Sequence, residues 1–75
     1  MSARDQPRLA NRLRVARAER DLSQGELGRL VGVSRQTVSS IEIGQYVPSA
    51  TLAFRLAAVL DIPVDTLFWL EGDTR

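Results

Sequence analysis

The segment from Gly32 to Glu42, with the sequence GVSRQTVSSIE, concentrates short polar side chains that form hydrogen bonds. Its spacing predicts a helix from about residue 35 to 43 that offers only Val38 and Ile41 to a core. Long, flexible helix formers such as Glu and Lys commonly fill the exposed positions of a helix. Here those positions hold Arg, Gln and three hydroxyl-bearing residues. We therefore ask what such a surface contacts.

The outward side of this helix has the chemistry needed to read base edges. At about 100° per residue, Gln36, Ser39, Ser40 and Ile43 cluster on the side opposite Val38 and Ile41, with Arg35 at the N-terminal edge. A major groove admits one α-helix, Arg suits guanine, Gln suits adenine, and Ser serves bases or phosphates. Ser34 is predicted to cap the helix, and a helix start offers free amides to phosphate. A merely solvated polar face is the alternative that periodicity leaves open.

Length and composition limit what the chain can be. Seventy-five residues with 44% hydrophobic content suit one small globular domain spanning residues 1–75. The sequence has no cysteine and no histidine, which excludes disulfides, thiolate or imidazole metal ligands and the commonest catalytic nucleophiles and bases. The carboxylates are scattered along the chain. We therefore expect no enzyme activity, no metal, no cofactor and no small-molecule ligand.

Charge is unevenly distributed although the net charge is only +1. Six arginines and two acidic residues give residues 1–20 a net charge of +4, whereas residues 61–75 carry −3. A basic start suits a polyanionic partner, and a solvated Arg-rich helix is the plain alternative. No apolar run approaches the roughly 20 residues of a membrane span, so we expect no membrane association. The absence of cysteine fits a cytoplasmic protein.

Hydrophobic spacing of helical period predicts an all-α, compact five-helix bundle. In the first helix, Leu9, Leu13 and Ala16 share a face, with Pro7 in the first turn. In the fourth helix, an apolar stripe surrounds Phe54. The predicted helices span about residues 7–20, 23–32, 35–43, 50–60 and 63–71.

The second and third helices are predicted to form a helix-turn-helix at about residues 23–43. Ser23 and Glu26 make a capping box, and Gly32 is a natural helix stop. Leu30 is expected on the buried face of the second helix, next to Leu27 and Val31. A tight Gly-containing turn makes two helices cross steeply. Gly28, which costs about 1 kcal/mol relative to Ala in a helix, makes sense if backbone approaches it closely.

The stretch Leu22–Ser49, LSQGELGRLVGVSRQTVSSIEIGQYVPS, closely resembles the helix-turn-helix family of Cro and lambda-type phage repressors. The likeness extends roughly from Leu13 to Leu70. It implies a five-helix fold that binds double-stranded operator DNA, usually as a homodimer on a near-palindromic site. It also implies a regulator of transcription, most often a repressor. It also implies a cytoplasmic protein of bacterial nucleoid-associated or phage-encoded type.

Carried over by position, the resemblance places base reading on the outward face of the third helix, at Arg35, Gln36, Ser39 and Ser40. Arg17 and Glu42 match a structural ion pair of the family. The chain departs from the family pattern at Gly28, where Ala is usual, and at Ile43, which either touches a thymine methyl or is simply half-exposed. The expected DNA backbone contacts are Gln24, Ser34, Thr37, Gln45, Tyr46, Ser49 and Arg14.

Two other functions stay open at this point. One is an antitoxin-like or other protein-interaction module, although 75 residues leave little room for a partner-binding extension. The other is the DNA-binding half of a longer, effector-responsive regulator, because the segment from Asp65 to Gly72, DTLFWLEG, resembles the junction before effector domains in some regulators.

The C-terminal end is the predicted dimer interface. A nine-residue helix with Phe68, Trp69 and Leu70 in succession after Leu67 cannot turn all four side chains into one core. Trp is enriched at protein interfaces, and the acidic end would be repelled by DNA. The alternative is a monomer in which Trp69 folds back as a lid over Phe54.

Overall fold

A computed structural model describes residues 8–72. Five helices and two short strands follow one another along the described chain. Their bounds are β1 Arg8–Asn11, α1 Leu13–Glu19, α2 Gln24–Val31, α3 Arg35–Glu42, α4 Ala50–Leu60, α5 Val64–Leu67 and β2 Phe68–Glu71. The predicted five-helix fold is confirmed, with a small sheet added to it. Pro7, expected in the first turn of the first helix, lies outside the described residues.

Local sequence signals set both ends of α2. Ser23 Oγ accepts a hydrogen bond from the Glu26 backbone N–H at 3.0 Å, and Glu26 Oε1 accepts one from the Ser23 N–H at 2.8 Å. The hydrogen bond that the Ser23 backbone N–H donates to the carboxylate lowers the pKa of Glu26, because it favours the ionised form. Gly32 ends the helix with φ of 84°, a left-handed conformation that glycine adopts without a Cβ penalty.

The turn between α2 and α3 closes directly onto Gly28. A Cβ at that position would lie 2.6 Å from the Val33 carbonyl oxygen and 3.2 Å from backbone atoms of Ser34. The expected close approach is therefore present, and it comes from the backbone of the turn and the start of α3. Gly28 thereby lets α3 begin immediately against α2.

Side chains from all five helices and from β2 meet in one hydrophobic core. Leu13, Leu56, Leu60, Leu67, Leu27 and Val38 are fully buried. Around them lie the other core members, Ala16, Val31, Ile41, Leu52, Ala57 and Phe68. Val38 and Ile41 face this core from α3, as their spacing predicts, so the opposite side of α3 is left outward.

The two ends of the described chain pair as an antiparallel sheet, which adds two short strands to the predicted helical fold. Leu9 of β1 lies opposite Leu70 of β2, and Asn11 lies opposite Phe68. The first helix was predicted from residue 7, but it begins at Leu13 because residues 8–11 satisfy their backbone hydrogen bonds across the sheet. A helical segment of four residues adds little stability by itself, so the pairing of residues 8–11 with β2 prevails over their helical spacing.

The last helix ends at Leu67 instead of continuing to residue 71. Phe68 adopts extended backbone angles, φ −129° and ψ 141°, and its side chain lies in the core with 7% exposed. Phe68 was predicted as part of a dimer interface, and its burial makes that assignment wrong. Leu30, expected on the buried face of α2, is exposed by 56%, and Phe54, within the apolar stripe of α4, is exposed by 61%. The apolar faces of α2 and α4 are therefore wider than the parts of these helices that pack against the core.

Among residues 8–72, no helix combines the length and apolar character that crossing a membrane requires.

Candidate nucleic-acid interface

The outward face of α3 carries the residues that sequence spacing placed there. Arg35 and Gln36 are exposed, and Ser39 and Ser40 are half-buried. Ile43 ends the helix as its C-cap with 65% of its surface exposed. The face therefore offers a guanidinium and an amide at its N-terminal end, two small hydroxyls in the middle and one apolar side chain at its far end.

Residues from the starts of α2 and α3 line one shallow concave surface. Its volume is about 440 Å³, and its lining is Gln24, Ser34, Arg35, Gln36 and Ser39. No carboxylate belongs to this lining. Amides, hydroxyls and a single guanidinium suit an anionic partner that also presents hydrogen-bond donors and acceptors.

Ser34 uses its hydroxyl to start α3. Its Oγ accepts a hydrogen bond from the Thr37 N–H at 3.1 Å and lies 3.0 Å from the Thr37 Oγ1. The two hydroxyls expected to meet DNA phosphate are therefore engaged with each other and with the helix start. The backbone N–H groups of Arg35 and Gln36 precede the helical hydrogen-bond ladder and point out of its N-terminus. These amides, with the positive end of the helix dipole, supply donors for a phosphate.

Behind the outward face of α3, a hydrogen-bond network joins Arg17, Gln24 and Glu42. Arg17 Nε donates to Glu42 Oε2 at 2.7 Å, and Gln24 Nε2 donates to Glu42 Oε1 at 3.0 Å. The Glu42 side chain is 4% exposed and that of Arg17 is 17% exposed. Arg17 also donates to the Leu22 carbonyl at 2.8 Å. A glutamine amide nitrogen carries two hydrogens, so Gln24 keeps one to offer to a phosphate.

The remaining residues expected at the DNA backbone lie in two places, in the loop after α3 and on α1. Gln45 and Tyr46 are exposed, and their backbone N–H groups donate to the Ser40 carbonyl at 2.9 and 3.2 Å. Ser49 Oγ accepts from the Leu52 N–H at 3.1 Å and caps α4. Arg14 lies exposed on α1. These residues lie outside the concave surface that joins the starts of α2 and α3.

The C-terminal strand leaves two large apolar side chains at the surface. Trp69 is 40% exposed and Leu70 is 62% exposed. Phe54 keeps 61% of its surface exposed, so the arrangement in which Trp69 covers it has no support.

In residues 8–72 no group of three or more potential metal ligands comes together.

Comparison with known proteins decides the family. Residues 13–67 match the helix-turn-helix family model. The chain belongs to the helix-turn-helix family. It is 43% identical over 65 residues to YgzD, an uncharacterised helix-turn-helix transcriptional regulator of Bacillus subtilis, across 87% of this chain and 98% of that protein. It is also 32% identical over 67 residues to the ImmF control region 10 kDa protein of Bacillus phage phi105, across 89% of this chain and 74% of that protein.

Solved structures of helix-turn-helix proteins share the fold. The restriction-modification controller protein C.AhdI from Aeromonas hydrophila superposes with a TM-score of 0.71 at 40% identity, covering 76% of this chain and 86% of that one. The P22 c2 repressor, solved with a synthetic operator, superposes with a TM-score of 0.73 at 32% identity, covering 83% of this chain and 91% of that one. This helix-turn-helix protein is therefore a DNA-binding transcriptional regulator, and its family is not an enzyme family.

Sequence reasoning missed two side chains that hold the helix-turn-helix in place. Asn11 accepts from the Leu13 N–H at 2.9 Å and donates to the Ile41 carbonyl at 3.0 Å. Arg55 Nη1 donates to the Val31 carbonyl at 3.3 Å, at the end of α2. Asn is a preferred residue at helix starts, so Asn11 could have indicated a first helix beginning near residue 12. No local pattern marks the contact of Arg55.

Proposed function

We propose that this helix-turn-helix regulator acts as a repressor that places α3 in the major groove of a specific operator. The observation that supports this most is the outward face of α3, where Arg35 and Gln36 are exposed beside half-buried Ser39 and Ser40. Its small hydroxyl residues let the helix approach the groove floor closely. The similarity to the P22 c2 repressor, solved with a synthetic operator, is consistent with this role.

Four side chains would read the sequence. Arg35 is suited to donate two hydrogen bonds to O6 and N7 of a guanine, and Gln36 is suited to pair with N7 and N6 of an adenine. Ser39 and Ser40 are short enough to meet bases or the flanking phosphates. Ile43, at the end of the same face, offers an apolar surface to a thymine methyl.

Contacts with the DNA backbone would set the register of the protein on the duplex. At the helix starts, the donors are backbone amides, together with the free amide hydrogen of Gln24. Ser34 and Ser49 contribute through the helix starts that they cap, and Thr37 through its hydroxyl beside that of Ser34. Arg14, Gln45 and Tyr46 offer exposed side chains around this surface.

We also propose that two copies bind together on a near-palindromic operator. Exposed Trp69 and Leu70 lie on an edge strand whose backbone can pair with another strand, and both features suit a subunit contact. A two-fold axis would then present two α3 helices to major grooves about 34 Å apart on one face of the DNA. Such a regulator would act in the cytoplasm, where its operator lies. Membership of a transcriptional regulator family disfavours the antitoxin-like alternative.

Selection from random duplexes tests the proposal directly. Wild-type protein should enrich one motif made of two inverted half-sites about 10 base pairs apart. The same selection with Arg35→Ala and Gln36→Ala combined should enrich no motif, or a different one, while the fold is retained. A wild-type protein that enriches no sequence would refute operator binding. An enriched motif without a repeat would refute the two-copy arrangement and leave base reading by one copy intact.

A further inference from the structure

Asn11 joins three elements through one side chain. It lies in β1, its Oδ1 accepts from the N–H of Leu13 at 2.9 Å, and its Nδ2 donates to the carbonyl of Ile41 at 3.0 Å. The first bond starts α1, and the second reaches the last turn of α3, thirty residues away in sequence. Both polar ends of the amide are therefore used to hold other elements.

The position of α3 depends on how its two ends are attached. At its N-terminus, the turn closes onto Gly28, where an added Cβ would lie 2.6 Å from backbone. At its C-terminus, carbonyl groups have no partner inside the helix. The Ile41 carbonyl accepts from Gly44 N–H at 3.1 Å, which is local, and from Asn11, which belongs to another element. Asn11 therefore restrains the direction of α3 from outside the helix-turn-helix.

The same residue connects α3 with the C-terminal strand. Asn11 lies opposite Phe68 in the sheet, and the neighbouring Arg12 N–H donates to the Leu67 carbonyl at 3.0 Å. A tilt that carries the Ile41 carbonyl away from Asn11 therefore stretches this bond, unless the sheet moves with α3. The exposed side chains of Trp69 and Leu70 belong to this same sheet.

We infer that Asn11 is a positioning residue for operator recognition, which sets the tilt of α3 relative to the β1–β2 sheet. This inference rests on the proposed operator binding by α3. Base contacts need hydrogen-bond geometry within a few tenths of an ångström, whereas contacts with phosphates tolerate small rotations. Loss of the Asn11 bond therefore weakens operator binding much more than binding to random DNA. In the two-copy arrangement, it also loosens the separation of the two α3 helices.

Two substitutions distinguish the bond from Asn11 to the Ile41 carbonyl from the bond that Asn11 accepts at the start of α1. Asn11→Ser keeps an oxygen that can accept from the Leu13 N–H, but its side chain is too short to reach the Ile41 carbonyl. Asn11→Asp keeps the shape and the same acceptor, but it places an oxygen where the amide donated. A matched control is Leu60→Val, a core change in α4 that lowers stability without touching the Asn11 bonds.

The experiment measures dissociation constants on the selected operator, on operators whose half-site spacing is changed by one base pair, and on random duplex. We expect Asn11→Ser to weaken operator binding about tenfold, the scale of one lost base contact, with random-duplex binding within about twofold of wild type. We also expect it to show a flatter spacing preference. Asn11→Asp should follow the same pattern on the operator, and Leu60→Val should keep the wild-type ratio and spacing preference.

Equal ratios of operator to random binding in Asn11→Ser, Asn11→Asp and wild type would overturn the positioning role. Loss on both duplexes in proportion to the stability loss, as in Leu60→Val, would also overturn it, because Asn11 would then act on folding alone. A wild-type protein without preference for the operator would refute the proposed function itself. The wild-type measurement alone reveals that outcome, so the two failures are distinguishable.

Discussion

At the end of α3, the carboxylate of Glu42 accepts hydrogen bonds from Arg17 on α1 and from Gln24 at the start of α2. Its side chain is 4% exposed, so the charge depends on these donors for compensation. Three helices are thus joined by one residue that faces away from the proposed groove contacts. Arg17, although basic, is engaged in this network and belongs to the scaffold.

Glu42→Ala should strongly destabilise the domain, because it leaves the guanidinium of Arg17 poorly compensated. Breaking one partner of a buried pair costs about 3–5 kcal/mol, a large part of the roughly 5–15 kcal/mol that holds a domain folded. Urea denaturation measures the loss. The control is Glu19→Ala, which removes an exposed ion pair with Arg12 at 3.9 Å and should cost less than about 1 kcal/mol. Equal losses in the two variants would contradict the structural role of Glu42.

Gln36→Ala tests base reading without changing charge. If the Gln36 amide pairs with an adenine, its removal should weaken operator binding by about 1–3 kcal/mol and relax the preference at one base pair. Binding to random duplex should stay close to that of wild type, because no phosphate contact or charge is lost. Fluorescence anisotropy on both duplexes measures the difference. Equal loss on the operator and on the random duplex would argue against a base contact.

At the scale of the elements, α2, the turn and α3 behave as one unit because the turn leaves no space between them. A Cβ added at Gly28 would lie 2.6 Å from the Val33 carbonyl oxygen, whereas one added at Gly25, one turn earlier in the same helix, would be 3.9 Å from its nearest neighbours. The two glycines therefore have the same helical backbone and different surroundings. Comparing them separates helix propensity from packing.

Gly25→Ala should stabilise the domain by about 0.5–1 kcal/mol, because Ala loses less backbone entropy in a helix and its Cβ has room. Gly28→Ala gains the same propensity, but its Cβ would overlap backbone atoms that cannot move independently. Overpacking of this kind costs about 1–3 kcal/mol, so its melting temperature should fall below that of Gly25→Ala and not exceed that of wild type. If both variants gain stability equally, the turn is not closed on Gly28.

At the scale of the whole molecule, charge is unevenly distributed along the chain. The basic first twenty residues and the acidic last fifteen belong to opposite ends of the sequence, and exposed Trp69 and Leu70 lie in the acidic end. In the fold these two ends meet, because β1 pairs with β2 and Arg8 lies opposite Glu71. The proposed dimer uses the apolar surface that Trp69 and Leu70 expose on this sheet.

Leu70→Asp should shift the protein from dimer to monomer, because a carboxylate buried in a subunit contact is poorly solvated. Sedimentation velocity at micromolar concentration measures the shift. Leu30→Asp is the control, because Leu30 is exposed to a similar extent, 56% against 62%, on a different surface. A wild-type protein that sediments as a monomer and binds DNA with one copy per site would rule out the dimer.

The sequence alone determined the elements whose signals are local. The capping box of Ser23 and Glu26, the left-handed stop at Gly32 and the cap at Ser34 each depend on residues within one helical turn. The apolar spacing of Val38 and Ile41 also determined which side of α3 faces outward, since helix geometry relates sequence position to direction. The resemblance of Leu22–Ser49 to a known family then indicated the function.

Tertiary structure alone decided the features that need distant partners. Residues 8–11 and 68–71 carry helical spacing, yet they pair as strands because each supplies the backbone hydrogen bonds that the other lacks. The burial of Phe68, the exposure of Leu30 and the Asn11–Ile41 bond likewise depend on where other elements lie. Periodicity gives the direction of a side chain from its own helix, and the fold alone determines whether another element covers it.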